Sequence, residues 1–325
     1  MIHTFDEIKE ITGANEDVIK YVFETKGDCP AVFEAVLYKY PTYEERTVMC
    51  ISTQSGCPMG CSFCGTGKFF NRDATSEEIV EQVSYMARHN DIKLSEVKNL
   101  QIMVMSMGEP LLNMDGICGA FPYFYRKYPN ANLLVSTSAP KTSYGWGMMQ
   151  DLARDIPTVG LQFSVHESTD KARNLLIPMK AKLNLEEISL QGLEFFKRTG
   201  RKPFFNYCAH DDNTYDDDVL RLRMLFDPRV WECTISVICE ADQTMADAVD
   251  HHLDMVNDFS SRMVEAGFNT RVFNPAGQDD IGGGCGQLWQ VQEWALNNPG
   301  LMKQSAGDRC REKGSKVELK GSAGV

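Results

Sequence analysis

The feature that most constrains this chain is the spacing of Cys57, Cys61 and Cys64, which form a C-x3-C-x2-C run. Three thiolates on one short loop suit a metal centre. Iron–sulfur cubanes usually take four cysteines, whereas structural zinc sites usually draw four ligands from two separated pairs. Because the local count stops at three, the spacing predicts either a [4Fe–4S] cluster with one open iron or a zinc site with a remote fourth ligand.

The residues beside these cysteines favour the cluster. An open iron can chelate the amino and carboxylate groups of S-adenosylmethionine (SAM) and pass an electron to its sulfonium. Phe63 precedes the third cysteine and Gly65-Thr-Gly67 follows it, and this stretch resembles the signature of the radical SAM superfamily. We therefore expect one [4Fe–4S] cluster per chain, held by the three cysteines, with SAM as the second cofactor.

Composition and charge narrow the setting. The chain has 325 residues, 43% of them hydrophobic, which is enough for one large α/β domain. Its 11 cysteines favour metal or redox chemistry over a disulfide scaffold, because we expect a cytoplasmic protein. The sequence contains no run of about 18 apolar residues, so no membrane span is predicted, and the first ten residues are too polar for a signal peptide. A monomer without membrane contact is expected.

The net charge limits the partners. Lys and Arg number 33 against 45 Asp and Glu, which gives −12. Binding to a polyanion without sequence preference needs a basic surface, so the balance opposes it. Any contact with nucleic acid must use a local patch.

Short β-rich runs alternate with helical patterns along the chain, as in parallel α/β folds. Thr75 and Glu78 form a capping-box pattern that predicts the start of a helix. The expected fold is a partial or full TIM-like (β/α) radical SAM barrel over residues 31–295. We expect a short helical extension over residues 1–30 and a mobile tail over residues 296–325. The predicted strands are Arg46–Ser52, Gln101–Ser106, Asn132–Thr137, Val159–His166, Pro203–Cys208, Cys233–Cys239 and Thr270–Phe273.

Further blocks make the resemblance more specific. The segment from Cys50 through Cys57 to Lys68 looks like the RlmN/Cfr family of radical SAM RNA adenine methyltransferases. The blocks that match this family in order elsewhere are Phe33-Glu34, Gly108-Glu109-Pro110, Ser136-Thr137-Ser138, Ser164-Val165-His166 and Gly277 to Leu288 with Cys285. The resemblance covers roughly residues 33 to 290, and most of the matched residues lie in or just after predicted strands. In a parallel barrel these strand ends meet at the catalytic face.

The resemblance implies a role for each matched residue. Gly108 and Glu109 would hold the SAM amino group, and Ser136 with the Ser164-Val165-His166 block would bind its carboxylate and ribose. The implied substrate is adenosine in rRNA or tRNA, methylated at carbon 2 or carbon 8. A flavodoxin or ferredoxin is the implied electron donor.

Three residues would carry the methyl transfer. Cys285 would accept a methyl group from one SAM and present it, as S-methylcysteine, to the adenine ring. Glu34 matches the family's proposed base for the ring proton, and Cys50 would attack the Cys285 sulfur to release the product.

Two departures put the substrate in question. Only 33 residues precede Glu34, so we expect the helical domain with which family members bind RNA to be missing or reduced. The family's Asn-Pro-Phe-Pro-Gly segment is absent, and the chain reads Glu240-Ala-Asp-Gln-Thr244 after Cys239. The open alternatives are methylation of a smaller sp2-carbon substrate or a peptide, and a non-catalytic iron–sulfur or zinc module.

Overall fold

The computed structural model describes residues 4–237, 245–273, 281, 288, 290–298, 300–301 and 303–304. Its strands are β1 Glu7–Thr12, β2 Val18–Thr25, β3 Ala31–Lys39, β4 Arg46–Ile51, β5 Gln54–Gly56, β6 Phe69–Asp73, β7 Asn99–Val104, β8 Ala131–Thr137, β9 Val159–Ser164, β10 Phe204–Ala209, β11 Glu232–Val237, β12 Thr270–Phe273 and β13 Lys303–Gln304. Its α-helices are α1 Ser76–His89, α2 Met114–Lys127, α3 Gly145–Asp155, α4 Asp170–Leu176, α5 Leu185–Thr199, α6 Asp216–Leu225, α7 Met245–Glu265 and α8 Gln290–Asn297.

One large sheet organises the molecule. Ten of the described strands pair in the order β1-β2-β3-β4-β7-β8-β9-β10-β11-β12. Neighbouring strands among the first four are antiparallel, and β4 and β7 to β12 run parallel with at least one helix in every crossover. This confirms the predicted (β/α) architecture. Within the described part of the chain the ladder ends at β1 and β12, so the barrel is partial rather than closed.

The sheet has two buried faces. Alternate residues of β3 show the division, because Phe33 and Leu37 join the large core under the helices while Val32 and Val36 join smaller clusters on the other face. Residues from β3, β4 and β7 to β12 line a single cavity of about 250 Å³. The sheet therefore curves around this second face, which we call the inner face.

The predicted helical extension is wrong. Residues 7–12 and 18–25 form β1 and β2, and β2 pairs with both β1 and β3. The segment Val18-Ile-Lys-Tyr-Val-Phe23 is a nearly continuous run of β-branched and aromatic residues, which suits a strand buried on both faces. The barrel bounds of 31 and 295 stay a prediction.

The predicted mobile tail is wrong for its first residues. Helix α8 continues to Asn297, and Lys303–Gln304 pairs antiparallel with Phe70 and Phe69 of β6. Two backbone pairings anchor this part of the chain. The rest of the predicted tail, residues 305–325, lies outside the described residues.

The capping box predicted at Thr75 is present. The Glu78 backbone N–H donates to the Thr75 hydroxyl, and the Thr75 N–H donates to the Glu78 carboxylate at 2.8 Å. Helix α1 then buries Ile79, Val83 and Met86. In the described ranges no helix is both long and apolar enough to span a bilayer.

Candidate cluster and cofactor site

The three motif cysteines lie on the loop that connects β5 to β6. The Cys57 N–H donates to the Phe69 carbonyl at 2.7 Å, which fixes the base of the loop. Gly56 stands just before it with φ +79°, and a Cβ there would lie 2.2 Å from the Phe69 oxygen. Only glycine fits this approach. Farther along, a turn is closed by the Cys64 N–H donating to the Cys61 carbonyl at 3.2 Å.

The thiols of this loop influence one another. Cys57 is buried, whereas Cys61 and Cys64 are partly exposed. Burial raises the pKa of the Cys57 thiol well above its usual range, and the negative charges of Cys61 and Cys64 raise it further. Thiolates crowded in this way require a compensating cation, so the donor set suits an iron–sulfur cluster.

Among the residues that the structure describes, no group of three or more His, Cys, Asp or Glu side chains forms a ready-made metal-binding arrangement. The three cysteines share one loop, but their sulfur atoms are not preset as a chelate. The described residues also contain no complete set of four zinc ligands, as the zinc alternative would need. The three cysteines suit an iron–sulfur cluster because of their ligand type, since thiolates are the usual ligands of iron in such clusters. The positions of their sulfur atoms do not add to this argument.

Gly108 and Glu109 follow β7 and reach the same end of the sheet. Gly108 has φ +105°, and a Cβ there would lie 2.8 Å from the Gln54 nitrogen of the cluster-side hairpin. The Glu109 carboxylate is buried and accepts hydrogen bonds from the Thr137 hydroxyl at 2.5 Å and the Ser138 N–H at 2.8 Å. It also accepts one from the Leu111 N–H at 3.1 Å.

Burial dominates the electrostatics of Glu109. It raises the pKa of this carboxyl from 4.5 to about 7, although the hydrogen bonds from Thr137, Ser138 and Leu111 oppose the rise. The carboxylate therefore joins the end of β7 to the end of β8. Sequence patterns missed Thr137 as its partner, because a threonine at a strand end carries no distinctive signal.

The serines and the histidine lie at the next strand ends. Ser136, in β8, accepts a hydrogen bond from the Gln162 amide of β9 at 3.2 Å. Ser164 is the last residue of β9. Val165 is buried, and its N–H and that of His166 both donate to the Asn206 carbonyl, at 3.0 and 3.1 Å.

His166 is strained and buried. Its φ is +64°, a conformation unusual for a residue with a side chain. Its Nδ1 is buried and has no hydrogen-bond partner within the described structure. Burial, with a smaller effect from Arg173, lowers the pKa of His166 to about 3, so the ring is neutral. The Phe63 ring of the cysteine loop packs edge-on against it, with centroids 5.5 Å apart.

Arg173, which the sequence did not single out, ties these strand ends together. Its guanidinium is almost fully buried and donates to the carbonyls of Ser138 at 2.8 Å, Ser164 at 3.1 Å and Leu183 at 2.9 Å. Its charge also acts on His166 and Cys61. A buried cation on a short helix has no sequence signature of its own.

The inner face holds Glu34 and Cys50. Glu34 lies on β3, opposite Val22, and is 0% exposed. Cys50 lies on β4, opposite Val36, which is two residues beyond Glu34 on the same face of β3. Cys50 also lines the cavity of about 250 Å³. The two residues therefore occupy neighbouring positions on adjacent strands.

Glu34 has an unusual environment. Its two carboxylate oxygens are buried, and no described side chain donates a hydrogen bond to either of them. Lys20 Nζ lies 3.9 Å from Oε2, and the backbone N–H groups of Gln290 and Val291 at the start of α8 face the carboxylate. Burial raises the pKa of Glu34 from 4.5 to about 7, with Lys20 as the largest opposing influence.

Cys285 lies outside the described residues, but residues on each side of it are described. Leu288 is buried in one apolar cluster with Val36 and Cys50, and Ile281 packs against that cluster. Cys285 lies four positions after Ile281 and three positions before Leu288. Both flanks of the Cys285 segment thus contact the surroundings of Cys50.

Three comparisons with known proteins bear on this site. Residues 51–223 match the family model described as the radical SAM superfamily. A crystal structure of a radical SAM methyltransferase from Sphaerobacter thermophilus superposes with a TM-score of 0.72 and 26% identity, covering 86% of this chain and 79% of that one. SuiB of Streptococcus suis, solved with SAM bound, shares the fold at a TM-score of 0.50 and 14% identity, covering 74% of this chain and 49% of that one. The fold and the site define a radical SAM protein.

Curated relatives refine this class. The probable dual-specificity RNA methyltransferase RlmN of Carboxydothermus hydrogenoformans is 30% identical over 275 residues, which are 83% of this chain and 75% of the relative. The dual-specificity RNA methyltransferase RlmN of Halorhodospira halophila is 31% identical over 270 residues, 81% of this chain and 70% of the relative. The match to the Fervidobacterium nodosum relative, at 31% identity, spans 63% of this chain but only 57% of that protein.

The chain belongs to the RlmN/Cfr family of radical SAM methyltransferases, as its sequence blocks predicted. Membership implies a [4Fe–4S] cluster and SAM as cofactors.

Proposed function

We propose that this chain methylates carbon 2 or carbon 8 of an adenosine in rRNA or tRNA, using a methyl group carried on Cys285. One observation supports the mechanism most strongly. Cys50 packs in a single apolar cluster with Leu288 and Ile281, which flank Cys285, while Glu34 stands beside Cys50 on the next strand. The two flanks of the Cys285 segment, a second thiol and a base are thereby drawn to one region.

The cofactors would occupy the end of the sheet where the cysteine loop meets the strand ends. Cys57, Cys61 and Cys64 would hold the cluster. Gly108, Glu109, Ser136, Ser164, Val165 and His166 would line the SAM site. When bound, these cofactors supply the methyl group and the radical chemistry that an unreactive ring carbon requires. The buried His166 Nδ1, which has no partner among the described residues, can form a hydrogen bond with a bound ligand.

The side chains of the inner face would complete the reaction. Cys285 must be a thiolate to accept a methyl group. Once the ring carbon is joined to this sulfur through the methyl carbon, the ring must lose one electron, which the bound cluster would accept, and one proton, which Glu34 takes. A pKa of about 7 leaves Glu34 partly ionised at neutral pH, as a general base requires. Cys50 then attacks the Cys285 sulfur, so that the S–S bond forms as the S–C bond breaks. The released carbon takes a proton and becomes the methyl group of the base, and an external thiol reductant restores Cys50 and Cys285 for the next turnover.

The net charge favours a second candidate, a smaller sp2-carbon substrate or a peptide. At −12 the chain as a whole repels a polyanion. The cavity of about 250 Å³ beside Cys50 has polar and apolar lining and can receive a small planar group. We nevertheless propose RNA as the substrate, because the chain belongs to the RlmN/Cfr family. A flavodoxin or ferredoxin is the proposed electron donor.

Nucleoside mass spectrometry tests the substrate. RNA from cells with and without the gene is digested, and 2-methyladenosine and 8-methyladenosine are quantified in rRNA and tRNA fractions. We expect one of them to disappear with the gene. An identical methyladenosine profile in both strains would discard the RNA substrate and favour the second candidate.

Substitution of Cys285 tests the methyl carrier. Cys285→Ala should abolish methylation and remove the extra methyl mass from the intact protein, while the [4Fe–4S] absorbance persists. Cys118→Ala on α2 is the matched control, because Cys118 packs against the large core away from the inner face. Continued methylation by Cys285→Ala would refute the carrier mechanism. A colourless protein after anaerobic reconstitution would refute the radical chemistry as a whole.

A further inference from the structure

Lys20 is a buried cation that the proposed reaction does not use. It lies on β2 opposite Val36, so it shares a row across the sheet with Val36 and Cys50. Its side chain is 1% exposed, and its Nζ lies 3.9 Å from Glu34 Oε2. Lysine is almost never this buried unless a charged partner faces it.

We propose that Lys20 is a positioning residue that keeps the Glu34 carboxylate ionised, so that Glu34 can accept the proton of the substrate ring. This inference rests on the proposed role of Glu34. It adds to that role a specific electrostatic partner on a different strand.

The surroundings of Glu34 explain why a partner is needed. The carboxylate is 0% exposed, and in the described ranges no side chain donates a hydrogen bond to its oxygens. Lys20 faces it from β2, the N–H groups of Gln290 and Val291 face it from α8, and the Cys50 thiol lies on its β4 side. Helix N-termini favour a negative charge but only partly offset burial.

The charges acting on the pair give a clear direction. Burial raises the pKa of Glu34, and Lys20 is the first of the influences that lower it. Burial lowers the pKa of Lys20, Glu34 raises it again, and Lys9 on β1 lowers it slightly. If the charge of Lys20 is removed, the pKa of Glu34 must therefore rise, and the carboxyl stays protonated at neutral pH.

A purely structural role is the weaker explanation. Replacing a buried ion pair by apolar residues is often neutral or stabilising, because the loss of hydration offsets the attraction. Lys20 also interrupts an otherwise apolar run, Val18-Ile-Lys-Tyr-Val-Phe23, where an apolar residue would pack well. A charge in this position is better explained by what it does to Glu34.

Infrared titration tests the proposal directly. The reconstituted full-length chain is labelled with ¹³C-carboxyl glutamate, and the Glu34→Gln spectrum is subtracted to isolate the Glu34 band. Lys20→Met should move the titration midpoint of Glu34 upward, and Lys20→Arg should leave it near the wild-type value. A rise of about one pH unit from about 7 would reduce the ionised fraction at pH 7 from about one half to about one tenth.

Matched variants separate charge from folding. Lys39→Met removes a lysine that also lies 3.9 Å from a carboxylate, that of Asp17, but in a partly exposed pair. It should leave the Glu34 band unchanged. If Lys20→Met does not fold, Lys20→Gln provides the neutral variant in its place. An unshifted Glu34 midpoint in the neutral variant overturns the proposal.

A second readout links the charge to the reaction. Loss of the ring proton precedes release, so a Lys20→Met enzyme should accumulate the covalent enzyme–RNA adduct on denaturing gels at pH 7. Raising the pH should clear the adduct, with the acid limb of the release rate shifted to higher pH than in wild type. Rapid release at pH 7 by Lys20→Met would contradict the inference. If wild type methylates no RNA, the proposed function fails, and the infrared titration still decides the role of Lys20.

Discussion

His166 combines two costs that a folded chain seldom accepts at one residue. Its backbone adopts φ +64°, and its buried Nδ1 lacks a hydrogen-bond partner in the described structure. Such strain persists where function requires it. Because the ring packs against Phe63 of the cysteine loop, a ligand bound at the strand ends would meet it.

We therefore expect His166→Asn to weaken SAM binding while the fold survives. Asparagine tolerates the left-handed conformation but cannot reproduce the imidazole. Loss of one buried hydrogen bond costs about 1 to 3 kcal/mol, which corresponds to about a 5- to 150-fold increase in Kd. Equilibrium dialysis with labelled SAM measures this. His89→Asn, at a partly exposed histidine paired with Glu10, should bind SAM as wild type does. Equal Kd values for both variants would contradict a ligand contact at His166.

Glu109 makes the stability of the cofactor-free chain depend on pH. Burial raises its pKa from 4.5 to about 7, so the folded chain retains a proton that the unfolded chain has already released in this window. Stability from this group is complete below about pH 4.5 and declines as the pH rises to about 7, by about 3 kcal/mol at most. Glu109→Gln should flatten this decline.

Urea denaturation of the cofactor-free protein at pH 5, 6, 7 and 8 measures the effect. The difference between wild type and Glu109→Gln should grow in favour of the variant as the pH rises. Glu186→Gln, at an exposed position on α5, serves as the control. Parallel stability curves for wild type and Glu109→Gln would mean that Glu109 does not titrate in this window.

Two strands, β5 and β6, decide whether the cysteine loop can form. Gly56→Ala would place a Cβ 2.2 Å from the Phe69 carbonyl oxygen, which also accepts the hydrogen bond from Cys57. We expect the variant to lose most of its bound iron and sulfide after reconstitution, and its absorbance near 400 nm to fall roughly in step with them. Gly147→Ala on α3, where a Cβ meets nothing within 4 Å, should load normally. Full iron content in Gly56→Ala would show that the loop tolerates a shift of β6.

The sequence predicted the parallel elements closely because their signals are local. The predicted strand Thr270–Phe273 matches β12 exactly in its bounds, and Arg46–Ser52 differs from β4 by one residue. The N-terminal strands were missed because β1, Glu-Ile-Lys-Glu-Ile-Thr, is too polar to predict a strand by itself. Its stability comes from pairing with β2, which is a tertiary effect.

The residues of the candidate site also fall into two groups, those that the sequence could predict and those that it could not. Residues in contiguous motifs, such as Cys57 and Glu109, could be found from spacing and resemblance. Thr137, Arg173 and Lys20 could not, because each matters through a partner distant in sequence. Lys20 did leave one signal, a lysine inside a run of strand-forming apolar residues, which predicts either an edge position or a buried ion pair.

At the scale of the whole molecule, one continuous sheet carries both the strand ends near the cysteine loop and the inner face. The strand ends of β7, β8 and β9 gather Glu109, Ser136 and Ser164, while β3 and β4 carry Glu34 and Cys50. Arg173 fixes the first group through backbone carbonyls, and α8 covers the second through Val291 and its N-terminus. Ile281 and Leu288, the described residues on either side of Cys285, contact the Cys50 cluster on the inner face.

Net charge sets how such a molecule can meet RNA. A net charge of −12 opposes binding to RNA of any sequence, so we expect few phosphates to be contacted. Each neutralised phosphate of a single strand contributes about −0.7 to the slope of log K against log salt concentration. Fewer than about four contacts would give a slope shallower than about −3. Fluorescence anisotropy with an RNA fragment that carries the methylated adenosine, between 50 and 200 mM salt, measures this, and a homopolymer of equal length should bind far more weakly. A steep slope with equal affinity for both RNAs would mean that a concentrated basic patch, and not recognition of the adenosine site, holds the substrate.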